Sequence, residues 1–174
     1  GLMTGIFLDQ KEVRGRLVDG FAVGKTVLNM FSYTGAFSVA AAMGGAVATT
    51  SVDLAKRSLP KTTEQFEVNH LNLAAQKIIV MDVFDYFKYA SRKGLSYDMI
   101  ILDPPSFARN KKKVFSVAKN YGELVKDSID ILTDKGTLIA STNAANLSLA
   151  KYQKMVITAL QEKNVRYKIT DTYQ

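Results

Sequence analysis

The sequence contains no cysteine in its 174 residues. A disulfide framework and a thiolate zinc site are therefore excluded. The only histidine, His70, lies at an expected helix end and reads as a cap or surface residue rather than a catalyst. No charge falls between Lys25 and Asp53, a gap long enough to raise a membrane span. Asn29, Ser32, Thr34 and Thr49-Thr50-Ser51 within it argue against one. The first apolar run lacks a basic leader and a cleavage site, so a cytoplasmic protein is the default expectation. There is no G-x-G-x-x-G, which disfavours NAD or FAD, and no G-x-x-x-x-G-K-[ST], which disfavours ATP hydrolysis. Internal repeats and low-complexity tracts are lacking too.

What is present suits one globular domain over residues 1–174. Hydrophobic residues make up 47% and charged residues 22%. Lysine and arginine number 23 against 16 acids, a net charge of +7. That excess favours a polyanionic partner such as RNA, and it equally suits a plain solubility bias.

The chain is organised around LNMFSYTGAFSVAAAMGG, residues 28–45. It reads as a short buried strand, a tight bend at Ser32-Tyr33-Thr34-Gly35, and an uncharged helix from Ala36 to Met43 packed on a sheet. Such a bend points backbone N–H groups at whatever lies above it, and Gly35 permits close approach. Taken alone, the unit fits a ligand site or a plain βα crossover equally well.

Along the chain, Thr4–Asp9 reads as a short extended segment and Gln10–Phe21 as a helix. Further strands are expected at Thr26–Met30, Ala46–Val52, Lys77–Met81, Met99–Leu102, Thr137–Ala140 and Arg166–Thr172. Helices are expected from a Ser58 cap to about Asn69, over Val83–Arg92 and Tyr121–Leu132, and from a Ser148 cap to about Lys163. A Pro-, Lys- and Asn-rich loop follows Asp103. The alternation predicts an α/β, doubly wound, mostly parallel sheet.

The strongest pattern is positional. Asp53, Asp82 and Asp103 each directly follow an apolar run. In a parallel sheet all three would emerge at the carboxyl edge beside the Ser32–Gly35 bend, where ligands bind in open α/β sheets. An acid after the second strand can accept both hydroxyls of a ribose. One after the third can reach an adenine amine, with Val83 and Phe84 covering the ring. Each aspartate alone would read as a helix N-cap; three in register with the bend indicate a site. An adenosine ligand without a pyrophosphate points to S-adenosylmethionine.

Asp103-Pro104-Pro105-Ser106-Phe107 is the most specific short motif. Two prolines fix the backbone and remove two N–H donors, leaving carbonyl acceptors beside the Asp103 carboxylate. Phe107 offers a ring on which an unpaired base can stack; a rigid turn with a buried Phe is the plainer reading. Arg109, Lys111, Lys112, Lys113 and Lys119 follow with no acid among them. A mobile loop gripping phosphates is expected, with a solvated charge run as the alternative.

On LNMFSYTGAF, SVD, IFLDQ and LDPPSFARNKK, from about Gly5 to Asn146, the sequence resembles the bacterial large-subunit ribosomal RNA methyltransferases of the class I, Rossmann-like, S-adenosylmethionine-dependent fold. The resemblance implies that Phe7, Gln10, Arg14, Phe31, Ser32, Tyr33, Thr34, Gly35, Asp53, Leu54, Asp82, Val83 and Phe84 hold the cofactor. It implies that Asp103, Pro104, Pro105, Ser106 and Phe107 face the acceptor base. Two departures matter. Relatives that methylate cytosine at carbon 5 need a thiolate, whereas here the loop after the fifth strand reads STNAAN. The pattern is closer to a purine ring-nitrogen acceptor such as guanine N7, with an exocyclic amine still possible. The fold also normally has a seventh strand after the sixth, which this chain is expected to lack; a longer protein with an N-terminal RNA-binding extension is expected. A dehydrogenase, a protein or small-molecule methyltransferase, and a non-catalytic cofactor- and RNA-binding module are the rivals. No metal is expected, and the oligomeric state is left open.

Overall fold

The computed structural model describes residues 2–7, 9–109, 114–141 and 147–172, with Phe7, Ala108, Arg109, Asp171 and Thr172 as backbone only. In chain order the elements are β1 (Met3–Phe7), α1 (Gln10–Val18), β2 (Thr26–Met30), α2 (Ala36–Met43), β3 (Ala48–Asp53), α3 (Ser58–Val68), β4 (Gln76–Val80), α4 (Val83–Lys93) and β5 (Tyr97–Leu102). They continue with β6 (Phe107–Arg109), β7 (Val114–Ser116), α5 (Val117–Asp130), β8 (Leu132–Ala140), α6 (Leu149–Glu162) and β9 (Tyr167–Thr172).

Seven strands form one sheet in the order β4-β3-β2-β5-β8-β1-β9, and every pairing in it is parallel. Both faces are covered, as parallel sheets require. Val27, Met99, Ile101 and Ile139 face α1 and α2 through Val13, Leu17, Phe37 and Ala41. Leu28, Met30, Ile100, Leu102 and Leu138 face α4, α5 and α6 on the other side. This period-two division is the pleat itself. Fully burying each such side chain is worth about 1.5–3 kcal/mol. A polar trio also holds α2 in place: Asn29 donates to Ser38 at 3.0 Å, and the Ser38 and Ser51 hydroxyls lie 2.6 Å apart.

Two expectations need correction. The leading segment is not merely extended. As β1 it inserts between β8 and β9, so the sheet reaches seven strands from the N-terminal side, with no further strand after β9 among the described residues. The stretch after Ser106 is not a simple loop. β6 and β7 pair antiparallel, with Phe107 opposite Ser116 and Ala108 opposite Phe115, and the Val117 N–H donates to the Ser106 carbonyl at 3.2 Å across the base. Three-residue strands among charges are too short for periodicity to reveal. More locally, Arg57 rather than Ser58 occupies the N-cap of α3, without a side-chain bond, and Ser58 is buried inside the first turn. The Ser148 cap is as expected, accepting from the Lys151 N–H.

Candidate active site

The parallel register fixes the rim. Met30 pairs with Val52 and with Leu102, and Asp53 with Val80. The bend after β2, Asp53, Asp82 and Asp103 therefore leave the sheet along one edge. The strand order reverses between β2 and β5, which opens a crevice at that point of the same edge.

The bend is strained. Phe31 and Tyr33 hold left-handed φ values of 60° and 52°, beside Gly35 at 79°. Each non-glycine residue there costs about 1–2 kcal/mol. The surroundings fix it: Ser32 N–H donates to the Val52 carbonyl at 3.0 Å and Gly35 N–H to the Ser32 carbonyl at 2.8 Å. A β-carbon at Gly35 would meet Thr62 of α3 at 2.5 Å. Gly35 is the N-cap of α2, and that helix end has neither a side-chain cap nor an acid in its first turn. Ser32 is buried, Thr34 half-buried, and Tyr33 62% exposed.

Asp53 clasps the bend. Its Oδ2 accepts from the Tyr33 N–H and its Oδ1 from the Ala55 N–H, both at 2.9 Å. A carboxylate offers about four lone-pair positions, so two remain for a ligand. Leu54 beside it is 52% exposed. Asp82 is the N-cap of α4 and accepts from the Asp85 N–H at 3.1 Å, so for this residue the capping role is realised. Val83 and Phe84 lie in the core at 4% and 9% exposure, whereas Tyr33 and Leu54, on either side of the Asp53 contacts, are exposed.

On the other flank, Gln10 Nε2 donates to Asp103 Oδ2 at 2.6 Å. Burial pushes the Asp103 carboxyl above the usual carboxylate range, and bonds from Ser141 and Gln10 pull it partly back. Asp9 caps α1 by accepting from the Glu12 N–H, which seats Gln10 at the rim. Arg14 is exposed one turn along the same helix face. Pro104 is buried, Pro105 and Ser106 are exposed, and Phe107 is 55% exposed. Lys119 is exposed in the first turn of α5. The backbone of Phe7 ends β1 on this rim, opposite Ala140. Lys111, Lys112 and Lys113 lie outside the described residues.

Two residues that sequence reasoning missed support this flank. The buried Tyr121 hydroxyl donates toward the Leu102 carbonyl at 3.3 Å and the Ser141 carbonyl at 3.1 Å. It thereby ties the ends of β5 and β8 beneath Asp103, and burial keeps the phenol protonated. Phe115 of β7, 1% exposed, packs against Phe31 and Phe84. Neither carries a local signal beyond being aromatic. Two cavities of about 320 and 270 Å³ lie at the amino edge, beside Met3 and Asp134 and beside Thr26 and Tyr97. They are remote from the acids and take no part in the site.

A doubly wound parallel sheet with acids and a glycine bend on its carboxyl rim defines the nucleoside-cofactor class of α/β proteins. Residues 2–156 match the model of the S-adenosylmethionine-dependent methyltransferases, and the chain belongs to that family. It is 58% identical over 173 residues to YwbD of Bacillus subtilis, whose name places it with the ribosomal RNA large subunit methyltransferases; the match covers 99% of this chain and 44% of that one. It is 37% identical over 150 residues to ribosomal RNA large subunit methyltransferase K of Neisseria meningitidis, covering 85% and 42%. Among solved structures, SMU.776, described as a methyltransferase in complex with SAH, superposes with a TM-score of 0.85 at 60% identity, covering 88% of this chain and 40% of that one. The chain thus spans about two fifths of the length of the relatives it matches.

The rim suits S-adenosylmethionine. It offers two carboxylates to a ribose and an adenine edge, exposed Tyr33 and Leu54 to an adenine face, and the uncapped start of α2 to a carboxylate. No helix among the described residues is long and apolar enough to cross a membrane.

Proposed function

We propose that this chain is the methyl-transfer domain of an enzyme that modifies RNA, in particular large-subunit ribosomal RNA, at a purine ring nitrogen such as guanine N7. The observation that carries the reading is the meeting of the Ser32–Gly35 bend, Asp53, Asp82 and Asp103 on one rim, with the exposed Phe107 following the last acid in the chain. The relatives' names support an RNA acceptor, and their greater length supports a further RNA-binding part.

When bound, S-adenosylmethionine supplies an electrophilic methyl group on a sulfonium. Asp53 accepts the ribose hydroxyls with its remaining lone pairs. Asp82 accepts from the adenine amine, and the first-turn N–H of Val83 donates to the ring. The start of α2 receives the carboxylate of the amino-acid part. Across the crevice, Asp103 and the Pro104 carbonyl accept from the donor edge of the base, and Phe107 stacks on its face. Gln10, Ser141 and Tyr121 hold that geometry. Guanine N7 carries an in-plane lone pair, so no general base is needed. The protein's contribution is placement in line with the methyl group. Arg109, Lys111, Lys112, Lys113 and Lys119 grip phosphates beside the acceptor. A protein or small-molecule acceptor would leave this basic stretch without a role.

The test is transfer of labelled methyl from S-adenosylmethionine to unmodified large-subunit ribosomal RNA by the full-length protein, followed by nucleoside mass spectrometry. Label in 7-methylguanosine is expected. Label in an exocyclic amine would move the assignment to another atom. Tight cofactor binding without transfer to any RNA would overturn the enzymatic reading in favour of a binding module.

A further inference from the structure

We propose that Phe115 is a positioning residue that links cofactor occupancy to the docking of the β6–β7 hairpin. The inference rests on the reading of that hairpin as the acceptor-side element and deepens it.

The hairpin carries the acceptor-side motif into the basic stretch. Its pairing places Phe107 and Val114 on one face, 55% and 47% exposed, and Phe115 on the other, 1% exposed. Phe115 is thus the hairpin's anchor in the body of the domain. What it is anchored to matters more than its burial. Its ring centroid lies 6.2 Å from Phe31, with the planes tilted 31°, and 5.7 Å from Phe84, tilted 50°. Both fall in the favourable range for aromatic pairs.

Those partners belong to the two cofactor-side turns. Phe31 opens the strained bend and has a left-handed φ of 60°. Phe84 stands in the first turn of α4, two residues after Asp82. A single ring therefore touches the segment between β2 and Asp53's hydrogen-bond partner Tyr33 and the segment that follows Asp82. Anything that orders those two turns also orders the surface on which Phe115 sits. The reverse holds as well, because coupling between two binding events is reciprocal. A hairpin held down by a bound polyanion keeps Phe31 and Phe84 in place and favours the cofactor. The arrangement gives the two substrates a shared element although they bind on opposite sides of the crevice.

A plain core phenylalanine would show no such linkage, so the test reads the linkage and not the stability. Amide hydrogen exchange of the hairpin is followed by mass spectrometry with and without S-adenosylhomocysteine, in the wild type, Phe115→Leu and Phe115→Ala. Leu keeps most of the apolar volume and serves where Ala does not fold. In the wild type, saturating S-adenosylhomocysteine should slow exchange of the Phe115 and Ser116 amides at least about fivefold. In Phe115→Leu the slowing should fall below about twofold, while S-adenosylhomocysteine still binds. Unchanged hairpin exchange in the wild type, or equal slowing in the leucine variant, would overturn the proposal. Neither readout contains RNA. Failure of the hairpin to bind RNA would therefore count against the acceptor-side reading alone.

Discussion

Gln10 and Asp103 are 93 positions apart in the chain, yet Gln10 Nε2 donates to Asp103 Oδ2 at 2.6 Å. The pair joins the start of α1 to the end of β5 and orients the Asp103 carboxylate at the rim. This bond favours the carboxylate, while burial disfavours it. In Gln10→Ala the Asp103 carboxyl should therefore titrate higher still. The acid limb of a kcat–pH profile should move to higher pH, and kcat at neutral pH should fall about tenfold. A profile superimposable on the wild type would show that Asp103 does not act as a carboxylate.

Asp53 holds the Tyr33 N–H and the Ala55 N–H, and is assigned the ribose hydroxyls. Asp53→Ala removes the acceptor for all of them. Hydrogen bonds to a charged group are worth about 1.5–3 kcal/mol each, so S-adenosylhomocysteine affinity by calorimetry should drop at least tenfold. Asp53→Asn should lose less, since one oxygen stays as acceptor. Equal affinity in all three proteins would remove Asp53 from the site.

At the opposite edge, Asp98 does structural work. It accepts from the Thr26 N–H at 3.0 Å and from the Thr26 and Thr133 hydroxyls at 3.1 Å, joining the starts of β2, β5 and β8. The bond from the Thr26 N–H, with the two hydroxyls and Lys25, holds its pKa below the usual value. A depressed carboxylate pKa stabilises the fold above the unfolded value of about 3.9, and that contribution is lost as pH falls through the folded value. Asp98→Ala should cost about 1 kcal/mol at neutral pH after allowance for its partial exposure, or about 2–4 °C in Tm. The deficit should shrink below about pH 4. Methyl transfer should be unchanged, because the residue lies at the far end of the strands.

Lys111, Lys112 and Lys113 are assigned to phosphate contacts. Replacing all three by alanine should weaken RNA binding and reduce the slope of log affinity against log salt by up to about three. Cofactor affinity should be close to wild type. Binding that is unchanged across the salt range would leave these lysines as a solvated surface.

The rim acids were legible because a parallel sheet turns sequence position into spatial position. Each of Asp53, Asp82 and Asp103 sits where an apolar run stops, so register alone gathers them. The bend was legible through Gly35 and the charge-free helix after it. Two features stayed hidden because they depend on contacts distant in sequence. Nothing in Met3–Phe7 says which strands it will lie between, since parallel partners are chosen by the whole sheet. Phe115 stands among basic residues in a stretch too short for a period of two, and its partners Phe31 and Phe84 are 84 and 31 positions earlier in the numbering. The capping role of Asp82 was legible as an alternative, and it coexists with a place on the rim.

The cofactor is assigned to one edge of the sheet, the carboxyl edge. Backbone amide shifts of the isotopically labelled chain, titrated with S-adenosylhomocysteine and followed by NMR, test that assignment most directly. Saturable shifts are expected at Tyr33, Gly35, Ala55 and Val83, with Thr26, Tyr97 and Thr133 at the amino-edge cavities unmoved. Shifts confined to those amino-edge positions, or none at all, would contradict it.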